Sequence, residues 1–211
     1  MLGWRLQEVD LSATPAHVLE KNAGPLCVEQ MVERFVRAAK PRADWRVGAE
    51  HEQVGVLSAT GAPVPYKGAR GIERLLQTIE AHGWQSVREG KHLVGLTREG
   101  ASVSLEPGGQ LELSGAPAAT LAESEAETRR YLGELGPASE ASGITWLALG
   151  FRPFGTLDDV PWMPKGRYRI MRSYLADKGK LAHEMMKRTA TVQANLDFGD
   201  ERDAQRKFKV A

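Results

Sequence analysis

WRVGAEHEQVGV, residues 45–56, is the stretch whose reading decides the fold. As a strand it sends alternate side chains to opposite faces. Arg46, Gly48, Glu50, Glu52, Val54 and Val56 then share one side, and Trp45, Val47, Ala49, His51 and Gln53 the other. Glu50 and Glu52 therefore lie side by side. Like charges at that spacing repel, and Glu is a poor strand former, so stability alone does not favour the pair in a half-buried strand. Two readings are open. One is an exposed edge strand with solvated carboxylates, the ordinary outcome for Glu. The other is a face that holds a cation: a hard ion such as Mg²⁺ is often carried by one or two carboxylates plus substrate phosphates. What separates them is whether other segments bring more carboxylates to the same sheet face.

ASVSLEPGGQLELSGAP, residues 101–117, does so. Ser102, Ser104 and Glu106 share a face, with Val103 and Leu105 opposite; after the Pro107-Gly108-Gly109 turn, Gln110, Glu112 and Ser114 share a face, with Leu111 and Leu113 opposite. TATVQANLDF, residues 189–198, repeats the design, with Thr191, Gln193, Asn195 and Asp197 against Val192, Ala194, Leu196 and Phe198. Such faces are wet in many antiparallel sheets. These ones nearly lack Lys and Arg, only Arg46 interrupting the acidic set, and a face that negative calls for cations such as Mg²⁺ bound to a polyphosphate.

Around these strands the periodicity marks helices. Residues 1–24 read as an irregular lead-in. Over 25–40, Leu26, Val28, Met31, Val32, Phe35, Val36 and Ala39 recur at helical spacing behind Pro25, so a stripe facing a core is expected, with Cys27 as core packing. Residues 61–68 are loop. Residues 71–82 form a second amphipathic helix that stops at Gly83. Short strands follow over 85–89, 92–98 and 101–106, joined by hairpin turns at Glu89-Gly90-Lys91 and Glu99-Gly100. Residues 117–142 are a long helix that Gly133, Gly136 and Pro137 are placed to kink or divide. ITWLALGF, 144–151, reads as a buried central strand. A proline-rich loop over 152–164 precedes a cationic helix over 165–178, a further helix over 180–188, and a last one begun after Asp200. Lys165 and Arg167 stand at a helix start, where backbone N–H groups favour an anion, although a solvated helix face is the commoner role for such residues.

Composition excludes several classes. With Lys+Arg 28 against Asp+Glu 27 and a net charge of +1, nothing draws the chain to a nucleic-acid backbone. No apolar run nears the roughly 18 residues of a membrane helix. The single cysteine and the mixed-charge opening residues point to the cytoplasm. His17, His51, His82, His92 and His183 show no zinc spacing, and neither a P-loop nor a Gly-x-Ser-x-Gly elbow occurs.

The segments GAEHEQVGV, VSLEPGGQLELSGAP, LGFRP, MPKGRYRIMRSYL and TVQANLDF, in that order, resemble the plant and proteobacterial type of glutamate-cysteine ligase, also called gamma-glutamylcysteine synthetase. The resemblance implies an α+β fold whose curved, mostly antiparallel sheet forms a funnel with helices on its outer side, residues 25–211 being the N-terminal part of one catalytic domain. It implies ATP and Mg²⁺, and L-glutamate and L-cysteine as substrates, with ATP activating the glutamate side chain as an acyl phosphate. By motif position it implies metal ligation by Glu50, Glu52 and Glu112, with Glu106 and Gln193 beside them. Lys165 and Arg167 would hold phosphate or the substrate carboxylate, and Asn195 would line the nucleotide or metal region; Glu50, Glu52, Glu112 and Arg167 form the catalytic set. Family chains run about twice this length, so a truncated product is expected, whose alternatives are a non-catalytic remnant binding Mg-ATP or glutamate, or a ligase using another amine. No disulfide switch is expected.

Overall fold

The computed structural model describes Pro25 and residues 27–211. The lead-in over 1–24 and Leu26 lie outside them. Among the described residues the elements are α1 (Val28–Ala38), β1 (Val47–Leu57), α2 (Ile72–Glu80), β2 (Gln85–Glu89), β3 (His92–Arg98), β4 (Ala101–Leu105), β5 (Leu111–Ser114), α3 (Leu121–Ser142), β6 (Ile144–Leu147), α4 (Gly166–Ala176), α5 (Ala182–Arg188), β7 (Val192–Leu196) and α6 (Glu201–Val210). The strands form one antiparallel sheet in the order β2-β3-β4-β5-β1-β6, with β7 also on β1. The α+β class holds.

β1 is the axis of this sheet. Its residues Glu50–Gln53 pair with β5 on one edge. On the other edge Val47–His51 pair with β7 and Val54–Leu57 with β6, so β7 and β6 lie end to end along one eleven-residue strand.

Alternation in β4 and β5 sorts the two faces as the sequence requires. Ala101, Val103, Leu105, Leu111 and Leu113 are buried, while Ser102, Ser104, Glu112 and Ser114 are half-buried. The apolar face packs on Ile72, Leu75, Leu76 and Ile79 of α2 and on Tyr131 and Leu135 of α3. Each of those aliphatic side chains contributes about 2 kcal/mol by leaving water. The β3–β4 turn has two consecutive left-handed residues, Glu99 at φ +52° and Gly100 at φ +91°, the backbone a two-residue hairpin loop needs. Thr120 caps α3 by accepting the Glu123 N–H at 3.2 Å.

Three expectations are corrected. α3 is not divided: it runs 22 residues through Gly133, Gly136 and Pro137, because Tyr131 and Leu135 on one side of Pro137 and Ala138 and Ser139 on the other are buried, and packing outweighs propensity. Among the described residues no core covers the stripe of α1. Val28, Met31, Val32, Phe35 and Val36 are 46–71% exposed, and Cys27 is exposed at the helix N-cap. Periodicity reveals a stripe but not what covers it, and the helix is tied to the sheet at its end, through Lys40 N–H to the Phe198 carbonyl at 2.9 Å. Residues 144–151 do not form a buried central strand. Only Ile144–Leu147 pair with β1, at the sheet edge, and Leu149 and Phe151 are 48% and 46% exposed. An apolar run carries no information about where along the sheet it docks.

Candidate active site

Register assembles one polar face. Glu52 lies opposite Glu112, and Glu50 opposite Ser114 on one edge and Gln193 on the other. Ser104 and Ser102 extend the row beyond Glu112 and Ser114, and Asn195 sits opposite Gly48. An antiparallel pair puts directly opposed side chains about 5 Å apart at Cβ on the same face. The two central carboxylates are therefore immediate neighbours. The face borders an open groove of about 1040 Å³ whose walls include Glu50, Ser102, Ser104, Ser114 and Lys165.

Each carboxylate has a donor. Asn195 Nδ2 donates to Glu50 Oε1 at 2.7 Å, the Thr191 backbone N–H to Glu52 Oε2 at 3.0 Å, and the Ser114 hydroxyl to Glu112 Oε1 at 2.7 Å. Burial pushes the Glu52 carboxyl up, the charges of Glu112 and Glu50 add to this, and the Thr191 bonds oppose it. Glu106, just past β4, is pushed up to about 7, first by burial and then by the Glu112 charge, with Lys165 pulling the other way.

The cations stand at the start of α4. Lys165 is its N-cap residue and only 4% exposed, and its ammonium is held down to about 8 by burial and then by Arg167. Arg167 lies 3.5 Å from Glu106 Oε1. The Gly166 N–H, one of the amides expected to receive an anion, donates to Glu89 Oε2 at 2.6 Å.

Tyr168 was not found by sequence reasoning. Its buried ring lies 5.6 Å from Lys165 Nζ and 5.1 Å from the Arg167 guanidinium. Its hydroxyl donates to the Leu105 carbonyl and approaches Glu106 Oε1 at 3.4 Å, which ties both cations to the end of β4. The available signal was an aromatic inside a basic run, which is weak.

Two polar-face residues are committed to structural bonds. Gln110 is 2% exposed and structural: its Nε2 donates to the Met186 and Thr189 carbonyls at 3.2 and 2.6 Å, and its Oε1 accepts the Gly108 N–H at 2.9 Å. It precedes β5, where the Met186 and Thr189 carbonyls close over its side chain. Asp197 is a pin between segments, with Lys40 Nζ at 2.8 Å and the Arg46 N–H at 2.9 Å; burial raises its carboxyl, but these donors hold it below its usual range. Gln193 is exposed, in register with Glu50.

An oxygen-only donor set suits a hard divalent cation rather than zinc or copper. Among the described residues no three carboxylate, imidazole or thiol groups are gathered tightly enough to hold a metal ion as they stand, because each carboxylate is turned to its own donor. Burial first and like charge second raise the carboxyls of Glu52 and Glu106, and a bound cation would offset the like charge at either.

Comparison with known proteins adds the family. Residues 46–211 match the glutamate-cysteine ligase family 2 model. Glutamate--cysteine ligase A, chloroplastic, of Oryza sativa subsp. japonica is 44% identical over 186 residues, covering 88% of this chain and 37% of the relative. The chloroplastic enzymes of Nicotiana tabacum and Arabidopsis thaliana are 45% and 43% identical over 189 and 187 residues. The chain spans a little over a third of the length of these relatives. These relatives are named chloroplastic, which overturns the expected cytoplasmic location. A lone cysteine reports on redox environment and not on address, which a separate targeting segment encodes. No helix of the described residues is long and apolar enough to cross a membrane. With the matched region running from the first residues of β1 through α6, and 44% identity to a named member, the chain belongs to the glutamate-cysteine ligase family 2.

Proposed function

We propose that residues 25–211 act within one catalytic domain of the carboxylate-amine ligase type. Its reaction joins the side-chain carboxylate of L-glutamate to the amine of L-cysteine at the expense of ATP, giving gamma-glutamylcysteine for glutathione synthesis. The observation that carries this reading is the opposition of Glu52 and Glu112 across β1 and β5, with Glu50 one step along and buried Lys165 bordering the same groove.

A carboxylate is a poor acyl donor to an amine. Activation transfers the terminal phosphoryl group of ATP to a glutamate side-chain oxygen, releasing ADP; the cysteine amine then attacks the acyl carbon, phosphate leaves, and the amine loses a proton. Glu50, Glu52 and Glu112, with Glu106 and Gln193 beside them, would hold Mg²⁺, which when bound neutralises the oxygens of the transferring phosphoryl group.

The chain's own residues do the remaining work. Lys165 and Arg167 bind an anionic group, phosphate or the substrate carboxylate, and Tyr168 keeps them from swinging away. Asn195 fixes the orientation of the Glu50 carboxylate and lines the nucleotide or metal region.

ADP release with L-glutamate fixed and a panel of amines varied tests the reading, with gamma-glutamyl product measured in parallel. Cysteine is expected to be preferred, and Glu52→Gln to lower turnover by about 10²–10³-fold. Preference for another amine would keep the chemistry and change the acceptor. A second reading, a non-catalytic binder of Mg-ATP or glutamate, draws on each carboxylate already having a protein donor. Calorimetric binding without product would establish it and end the ligase proposal.

A further inference from the structure

Buried charged residues among those described are Arg152, Lys165 and Lys187, and all three are cations. Lys187 donates to the Leu157 carbonyl at 2.7 Å, and Lys165 borders the carboxylate groove. Arg152 is different. It is 1% exposed, and one of its nitrogens donates to the Gly55 carbonyl at 3.1 Å, on the edge of β1 just past the end of β5. Its Nε and remaining terminal nitrogen have no acceptor among the described residues.

Arg188 sits against it. The Arg152 N–H donates to the Arg188 carbonyl at 2.7 Å, an Arg188 terminal nitrogen reaches the Arg152 carbonyl at 3.3 Å, and Arg188 Nε is also buried without an acceptor. The only carboxylate paired with either residue among the described ones is Glu184, 3.0 Å from Arg188. Two guanidinium charges thus share one counter-charge. A guanidinium cannot shed its proton in a protein, and a buried, uncompensated charge with unmade hydrogen bonds is strongly unfavourable. Neither residue lines the groove on the carboxylate face, so a bulky substrate does not reach the pair from there.

We propose that Arg152 and Arg188 together hold a small inorganic anion, of halide size, between the loop that follows β6 and the end of α5. This site is independent of the ligase reading. It compensates the second guanidinium charge and secures the Phe151–Thr189 bridge, which joins those two segments beside β1.

Thermal unfolding of the full chain at constant ionic strength tests this, with sodium gluconate replaced stepwise by sodium chloride, sodium bromide or sodium phosphate. Chloride and bromide are expected to raise Tm saturably, by about 2–4 °C, and gluconate not at all. Arg152→Met, which removes the buried charge while keeping much of its volume, is expected to lose the halide response. A response to phosphate without one to halide, no response at all, or an undiminished response in Arg152→Met would each overturn the proposal. Should that variant fail to fold, a bromide-soaked crystal of the unaltered chain decides. An anomalous peak within hydrogen-bond reach of Arg152 Nε and Arg188 Nε supports the site, and an ordered water there without anomalous signal refutes it.

Discussion

Replacing Glu106 by Gln should make the ligand-free protein more stable near neutral pH and leave it unchanged in mild acid. In the folded chain the Glu106 carboxyl is pushed up to about 7 from an ordinary 4.5, by burial and by Glu112, and this already includes the attraction of Lys165. The folded state therefore binds this proton more tightly than the unfolded chain does. Its contribution to stability is complete below about 4.5 and is lost as pH rises through about 7. At about 1.4 kcal/mol per unit, the displacement amounts to roughly 3 kcal/mol, and about 2–3 kcal/mol after allowance for the partial exposure of the side chain. Glutamine mimics the protonated acid at every pH. Lys165, depressed to about 8, titrates above that window, and its loss of the Glu106 attraction in the variant offsets part of the gain. Urea unfolding followed by tryptophan fluorescence at about pH 4 and about pH 7 measures the difference. A gap between variant and parent that is the same at both values, or a variant less stable at the higher one, would show that Glu106 is not held protonated by its surroundings.

Other outcomes follow from the same geometry. Millimolar Mg²⁺ at about pH 8 should raise Tm of the unaltered chain, and Glu112→Gln should abolish most of that rise; scanning fluorimetry reads both. Gln110→Leu strips the Met186 and Thr189 carbonyls of their buried donor and should cost about 2–4 kcal/mol in denaturant unfolding. A Cβ at Gly108 would collide with the Lys187 carbonyl oxygen, so Gly108→Ala should destabilise by about 2–3 kcal/mol as the β4–β5 turn is forced off α5. Glu99 occupies a left-handed position that Asn tolerates better, and Glu99→Asn should gain about 0.5–1 kcal/mol in thermal unfolding despite losing an exposed ion pair with Arg130.

Local chemistry made much of this chain readable in advance. The alternation of serine and glutamate against valine and leucine in 101–114 has only one packing solution with the apolar side inward, and β2, β3, β4 and α2 appear within a residue or two of their expected limits. Family motifs carried the candidate residues, and strand parity alone put Glu50 and Glu52 on one face. Tertiary structure decided the rest, because it depends on groups distant in sequence. Strand pairing set Glu112 opposite Glu52, and the return of residues 189–191 to β1 gave Glu52 a backbone donor 139 positions away. Docking of α4 buried Lys165 and placed the Tyr168 ring beside both cations. The same dependence explains the errors at α1 and β6: periodicity and apolarity say that a surface seeks cover, and only the arrangement of the other elements says whether it finds any.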